Sequence, residues 1–214
     1  MKGIIDIHTH ALNSKEGTAL ISIGIESDLI ENFKFYSVGL HPWEISKIDN
    51  ESINKLSELL SDSRVLAVGE CGLDSLRGPS MDIQEPIFIE QVNLSESFEK
   101  PLIIHQVKAI DRIIFFKKEL KPKQRWLIHG FRGGPIQASQ LLELNIDISF
   151  GKKYNIETLK QIPLNRLFVE SDDYSDVSDI YESISTAKSI KMEDLYKIVA
   201  FNSDGFLKKS LFAL

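Results

Sequence analysis

Short apolar, β-branched runs alternate along this chain with stretches whose apolar residues fall at helical spacing, and run after run ends on a histidine or a carboxylate. That alternation calls for an α/β fold built on a parallel sheet. Strands are expected at 3–7, 19–23, 35–40, 64–68, 102–105, 125–129, 146–150 and 166–170. Ile53, Leu56, Leu59 and Leu60 form one helical stripe, with Asp49 or Asn50 placed to cap it. A second helix is expected over 81–98, facing inward with Ile83, Ile87, Leu94 and Phe98 and stopped by Lys100-Pro101. Ile110, Ile113, Ile114 and Phe116 carry a third, and 136–144 and 156–162 read as shorter ones. The tail over 192–212 is an amphipathic helix packing through Leu195, Ile198, Val199 and Phe206. The connections 11–18 and 25–34 leave little room for a crossover helix, so the N-terminal third looks pared down.

Composition narrows the class. A chain of 214 residues, 43% hydrophobic and 26% charged, is large enough for a substantial core and reads as one domain over 1–214. No apolar run approaches a membrane span, so no membrane partner is expected. The single Cys71 excludes an internal disulfide and fits a reducing cytoplasm. A net charge of −6 argues against a broad electrostatic grip on nucleic acid, while leaving room for a local patch.

The chemistry gathers at the strand ends. Alternation along the first strand points Asp6, His8 and His10 the same way, half of a metal site. A bare His-x-His is more often a solvated pair at the start of a loop. The other three histidines, His41, His105 and His129, however, also sit at or just beyond the C-terminal end of a strand, and Glu70 and Asp172 end two more. In a parallel barrel those ends converge on the mouth where active sites are built. Imidazole with carboxylate suits a divalent ion such as Zn, Mn or Mg. Four histidines and two carboxylates exceed the need of one ion and suffice for a pair, an arrangement suited to hydrolytic displacement. Cys71, next to Glu70, should face away and serve as a small core residue.

These residues in order carry a resemblance. Asp6-Ile7-His8-Thr9-His10, Gly39-Leu40-His41-Pro42, Gly69-Glu70-Cys71-Gly72-Leu73-Asp74, Pro101 to His105, His129-Gly130-Phe131-Arg132-Gly133 and Glu170-Ser171-Asp172 together resemble the TatD family of metal-dependent hydrolases. That family is amidohydrolase-like and includes deoxyribonucleases. The match resumes weakly at Asn202 to Leu207. The resemblance implies a distorted TIM-like (β/α) barrel with reduced crossovers in its N-terminal third. It also implies one or two divalent metal ions and a phosphodiester substrate attacked by a metal-activated water. By the same analogy His8, His10, Glu70 and Asp172 hold a first ion, and Glu70 bridges to a second completed by His105 and His129. Asp172 orients or deprotonates the water, and His41 contacts the scissile phosphate.

The chain also departs from the family pattern. Where members carry Ser-Arg after the fifth-strand histidine, this one has Gln106-Val107-Lys108, and the basic stretch expected after Asp172 is replaced by Asp173, Asp176 and Asp179. Such carboxylates would repel a polyanion, which weakens nucleic acid as the substrate. A small ester, lactone or amide is the rival, and a non-catalytic metal-binding paralogue is a third reading. Retention of all six ligands weighs against the last. Among the remaining features, Arg132 before Gly133-Gly134 reads as an anion-binding turn or an exposed loop cation. Trp43 either stacks on a substrate ring or covers the core at the rim. Lys152-Lys153 reads as a solvated pair, and Asp74 as either a supporting acceptor or a loop cap. Nothing in the sequence addresses oligomeric state.

Overall fold

A computed structural model describes residues 3–15, 17–29, 34–174 and 176–208. In chain order its elements are β1 (Asp6–Thr9), β2 (Ala19–Gly24), β3 (Phe35–Gly39), α1 (Asn50–Leu60), β4 (Val65–Asp74), α2 (Met81–Ser97), β5 (Leu102–Val107) and α3 (Ile110–Leu120). There follow β6 (Trp126–Ile128), α4 (Pro135–Glu143), β7 (Ile146–Phe150), α5 (Ile156–Gln161), β8 (Leu167–Val169), α6 (Ser178–Lys188) and α7 (Met192–Phe206). The sheet takes its strands in sequence order, β1 to β8, and the pairings that set its register are parallel. Among the described residues no helix joins β1 to β2 or β2 to β3, as the short connections require. Positions 16 and 30–33 of those connections lie outside the described residues. The chain divides into two compact units, 22–128 and the remainder.

In the unit 22–128, α1 starts as expected. The Asp49 carboxylate accepts from the Ser52 backbone N–H at 2.9 Å while the Asp49 N–H donates back to the Ser52 hydroxyl, a reciprocal cap. Its buried face is Leu56 and Leu60, each worth roughly 1.5–3 kcal/mol of burial. Strand β4 is longer than the expected 64–68. It runs on through Glu70 to Asp74, because Cys71, Gly72, Leu73 and Asp74 stay in register with Ile104, His105, Gln106 and Val107. Gly72 permits this approach: at φ 143° it has no side chain, and a Cβ there would stand 2.0 Å from the His105 carbonyl oxygen.

Helix α2 is present, but its inward face differs from the expected one. Ile83 is 44% exposed, and the buried positions are Gln84, Phe88, Gln91, Val92 and Ser95. The two glutamines face inward because their carboxamides close strand ends. Gln91 accepts from the Leu40 N–H at 2.7 Å and donates to the Leu40 carbonyl at 3.1 Å. Gln84 does the same for Asp74, accepting at 2.8 Å and donating at 2.8 Å. A hydrophobicity count cannot find a face whose contact residues are polar.

In the other unit, β1 begins at Asp6, later than the expected strand, and is joined to the end of β8 by a Thr9–Asp172 bridge. Helix α6 is an addition to the expected elements. Asp176 starts it by accepting from the Ser178 N–H at 2.9 Å, and Ile180, Tyr181 and Ile184 pack inward. Tyr181 donates its hydroxyl to the Ile5 carbonyl at 2.6 Å, tying α6 to the approach of β1. Helix α7 buries Leu195, Val199 and Phe206 as expected. Its Asn202 carboxamide donates to the Leu164 and Leu167 carbonyls, anchoring the start of β8. The expected helix ran to 212, and 209–212 lie outside the described residues. Among the described residues no helix is long and apolar enough to cross a membrane.

Candidate metal centre

His8 on β1 is fully buried and His10, one residue past the strand, is 43% exposed at its side chain. Their rings meet edge to face with centroids 5.0 Å apart, and both Nε2 atoms face Asp172 Oδ1, at 3.7 and 3.9 Å. The Asp172 backbone bonds to both histidines. Its N–H donates to the His8 carbonyl and its carbonyl accepts from the His10 N–H. Asp172 sits at φ 55°, a left-handed conformation that aspartate tolerates better than most residues.

The His129 ring lies 4.2 Å from that of His8, so residues more than a hundred positions apart meet. His129 Nδ1 stands 3.5 Å from Oε1 of Glu170, a carboxylate with no solvent exposure. The other Glu170 oxygen accepts from the Ser149 hydroxyl on β7. Glu170 belongs to the cluster, although in the sequence it stands out only as part of the motif it shares with Ser171 and Asp172. The signal that could have found it is alternation: two residues before Asp172 at a strand end, it shares that residue's face.

Asp6 does not join His8 and His10. It accepts from the Ser171 N–H at 2.9 Å and from its hydroxyl at 2.6 Å. Burial drives its carboxyl up to about 7 against the lowering effect of those two bonds. The strand alternates as expected, but two residues advance the chain by roughly 6–7 Å, so Asp6 lies a layer deeper and props β8 instead.

In the unit 22–128, Glu70 on β4 carries the second cluster. Its Oε1 is 2.7 Å from His105 Nδ1 and 3.1 Å from His41 Nε2. The Trp43 backbone N–H donates to His41 Nδ1 at 3.2 Å, which leaves Nε2 to carry the proton toward Glu70. Asp74 proves to be both supporting acceptor and loop cap. Oδ2 accepts from the Trp43 indole at 2.7 Å and lies 3.2 Å from His105 Nε2. Oδ1 accepts from the N–H groups of Leu76 and Arg77. Burial alone would raise the Asp74 carboxyl; the indole, backbone and imidazole bonds outweigh it and hold it below its ordinary value. Trp43 stands at the rim, 39% exposed, its ring 4.6 Å from that of His41 and under the Arg77 guanidinium at 3.6 Å.

Three sets of donors in these two units fit a divalent ion. They are His8, His10 and Asp172; His129, Glu170 and Asp172; and His41, Glu70 and His105, and within each set the ligand atoms lie within 4.8 Å of one another. The donors are imidazole and carboxylate, suited to Zn, Mn or a similar ion. Cys71 is outside them all, buried with Sγ toward the Ile103 carbonyl, and burial pushes its thiol up.

Lys152 and Lys153 are exposed in the loop after β7, as expected of a solvated pair. Both line a cavity of about 180 Å³ together with Arg132, Tyr174, Asp173, Glu170 and Asp172. Gln106, standing where a family serine would, sets its carboxamide against the N–H groups of Lys108, Ala109 and Ile110 at the start of α3, donors that only an amide oxygen in that place satisfies.

A sequence model of the family described as TatD related DNase matches residues 10–208. The chain is 27% identical over 201 residues to the uncharacterized metal-dependent hydrolase YabD of Bacillus subtilis (strain 168), covering 82% of this chain and 79% of the relative. It is 28% identical over 181 residues to a Pantoea sp. (strain At-9b) protein named 3'-5' ssDNA/RNA exonuclease TatD, covering 79% and 67%. For three other curated relatives the match spans less than two thirds of their length, 59%, 54% and 60%. Among solved structures, the TatD homologue YjjV of Escherichia coli K12 matches with a TM-score of 0.81 at 18% identity, over 95% of this chain and 97% of that one. That likeness shows the fold, a TIM-like barrel of parallel strands with helices between them.

Proposed function

The chain belongs to the TatD-related DNase family of metal-dependent hydrolases, and on that premise we propose that it cleaves phosphodiester bonds, as a single-domain enzyme of the cytoplasm, with one or two divalent ions. The ligands in this reading are His8, His10, His129 and Asp172 in one unit and Glu70 and His105 in the other. The observation that carries it is the approach of imidazoles and carboxylates from separate strand ends to within 4.8 Å in both units. A divalent ion there supplies Lewis acidity, lowering the pKa of water and offsetting charge on a phosphoryl oxygen.

The residues of the chain supply the rest. Asp172 takes the proton of the attacking water, its backbone bonded to β1 on both sides so that the carboxylate keeps its aim. His41 presents its Nε2 proton, shared with Glu70 in the substrate-free protein, to a phosphate oxygen. Trp43 and Arg132 contact the substrate beyond the reacting bond.

The acidic run after Asp172 weighs less against a polyanion than its composition suggests. Asp176 accepts from the Ser178 N–H at the start of α6, and Asp179 lies in that helix's first turn, where negative charge is favoured. The direct test loads purified protein with Mn or Zn, confirms the metal by elemental analysis, and assays an activated diester and single-stranded DNA with and without chelator. Metal-dependent cleavage of either supports the reading; a fully loaded protein inert on both refutes it.

A further inference from the structure

Arg132 follows β6, and Lys152 and Lys153 follow β7, yet the two loops bring all three side chains to the wall of one cavity whose lining includes Glu170 and Asp172. None of the three forms an ion pair or side-chain hydrogen bond among the described residues, whereas other cations such as Arg64, Arg112 and Arg166 are matched with carboxylates. Lys152 is fixed only by its place 4.4 Å over the Tyr174 ring. The carboxylates at the cavity do not cancel this charge equally. Glu170 is turned to Ser149 and His129, and Asp172 to His8 and His10. Asp173 alone remains as rim acid against three cations. Gly130 and Gly151 keep the wall free of side chains. The volume, about 180 Å³, equals that of roughly six waters at about 30 Å³ each, room for a phosphate group.

We propose that Arg132, Lys152 and Lys153 form an anion subsite that takes a second phosphate of the substrate, beside the one being cleaved, so that a substrate with two or more phosphates is held more tightly than an isolated diester. The inference rests on the phosphodiester reading and deepens it. It also answers the departures in sequence: cations absent after His105 and after Asp172 are supplied by the loops after β6 and β7.

The test uses the full, metal-loaded chain, its Lys152→Gln/Lys153→Gln and Arg132→Gln variants, and fluorescein-labelled hexathymidylate. All three residues are exposed, so the variants should melt with the parent. Anisotropy at about 50 mM salt should show Kd rising about tenfold in the double variant, with a log Kd against log salt slope shallower by about 0.7, the value for one single-strand phosphate no longer neutralised. The Lys152→Arg/Lys153→Arg variant should retain binding. In cleavage assays KM for hexathymidylate should rise far more than KM for bis(p-nitrophenyl) phosphate. Unaltered Kd and salt slope in both neutralised variants, or a parent that does not bind hexathymidylate, overturns the subsite even if the diester is cleaved. Weakened binding by the variants of a parent that cleaves nothing upholds the subsite and rejects the hydrolase reading instead.

Discussion

Asp172 and His8 are joined through their backbones as well as facing each other through their side chains: the Asp172 N–H donates to the His8 carbonyl at 3.1 Å while Asp172 Oδ1 stands 3.7 Å from His8 Nε2. The carboxylate is therefore positioned by the sheet, and its aim does not depend on side-chain packing alone. Asp172→Asn preserves both the shape and the tolerance of φ 55°. It should leave the melting temperature and most bound metal in place while lowering kcat by about 10²–10⁴, the range for loss of a general base. Elemental analysis alongside kcat checks this, and substantial residual turnover would remove Asp172 from the proton-transfer role.

Gln91 holds both backbone polar groups of Leu40, the residue before His41. Gln91→Leu would strand a buried N–H and a buried carbonyl, each costing about 1–3 kcal/mol. Urea unfolding should show a total loss in the range of about 2–6 kcal/mol. Gln91→Glu keeps one acceptor for the Leu40 N–H and should lose less than the leucine variant in the same experiment.

Asp74 touches Trp43 and His105 with one oxygen. Asp74→Ala should weaken metal affinity by about 10–100-fold, the usual effect of deleting a carboxylate that orients a ligating imidazole. The change should be accompanied by altered Trp43 emission, because the indole loses its acceptor. Metal titration followed by fluorescence reads both; unchanged affinity would reduce Asp74 to its capping role.

Asp62 predicts an acid limb in stability. Its carboxylate is held down to about 2 from 3.8, chiefly by the Arg64 guanidinium and then by the Arg64 N–H. With the folded value below the unfolded one, the contribution is present above 3.8 and is lost as pH falls from there to about 2. The pair is more than a quarter exposed at both side chains, so solvent screening limits it to about 1 kcal/mol or less. Urea midpoints of the parent and Asp62→Asn should differ at neutral pH and converge near about pH 2.

Chelation should lower both activity and the melting temperature, since a ligand bound only by the folded state stabilises it, by about 2.7 kcal/mol at a hundred times Kd. Readdition of Mn or Zn should restore both. Cys71, buried with its thiol pushed up, should stay unreactive toward thiol reagents until the chain unfolds.

The sequence by itself determined the strand–helix alternation, the short early connections and the candidate donors at the strand ends. Each of these is written in a local period or in residue types that few environments other than a metal site require. His8, His10, His41, Glu70, His105, His129 and Asp172 could be picked out because imidazoles kept falling at strand ends. Only the tertiary structure decided which polar residues face inward. Gln84 and Gln91 look like surface positions until strand ends present backbone groups for them to bond. Glu170 looks like any strand-end acid until His129 and Ser149 close on it. Asp6 shares a face with His8 yet works a layer below, because alternation sets direction and not depth. That Lys152 and Lys153 line one cavity with Arg132 is likewise invisible in one dimension, since a cavity is made by loops distant in sequence.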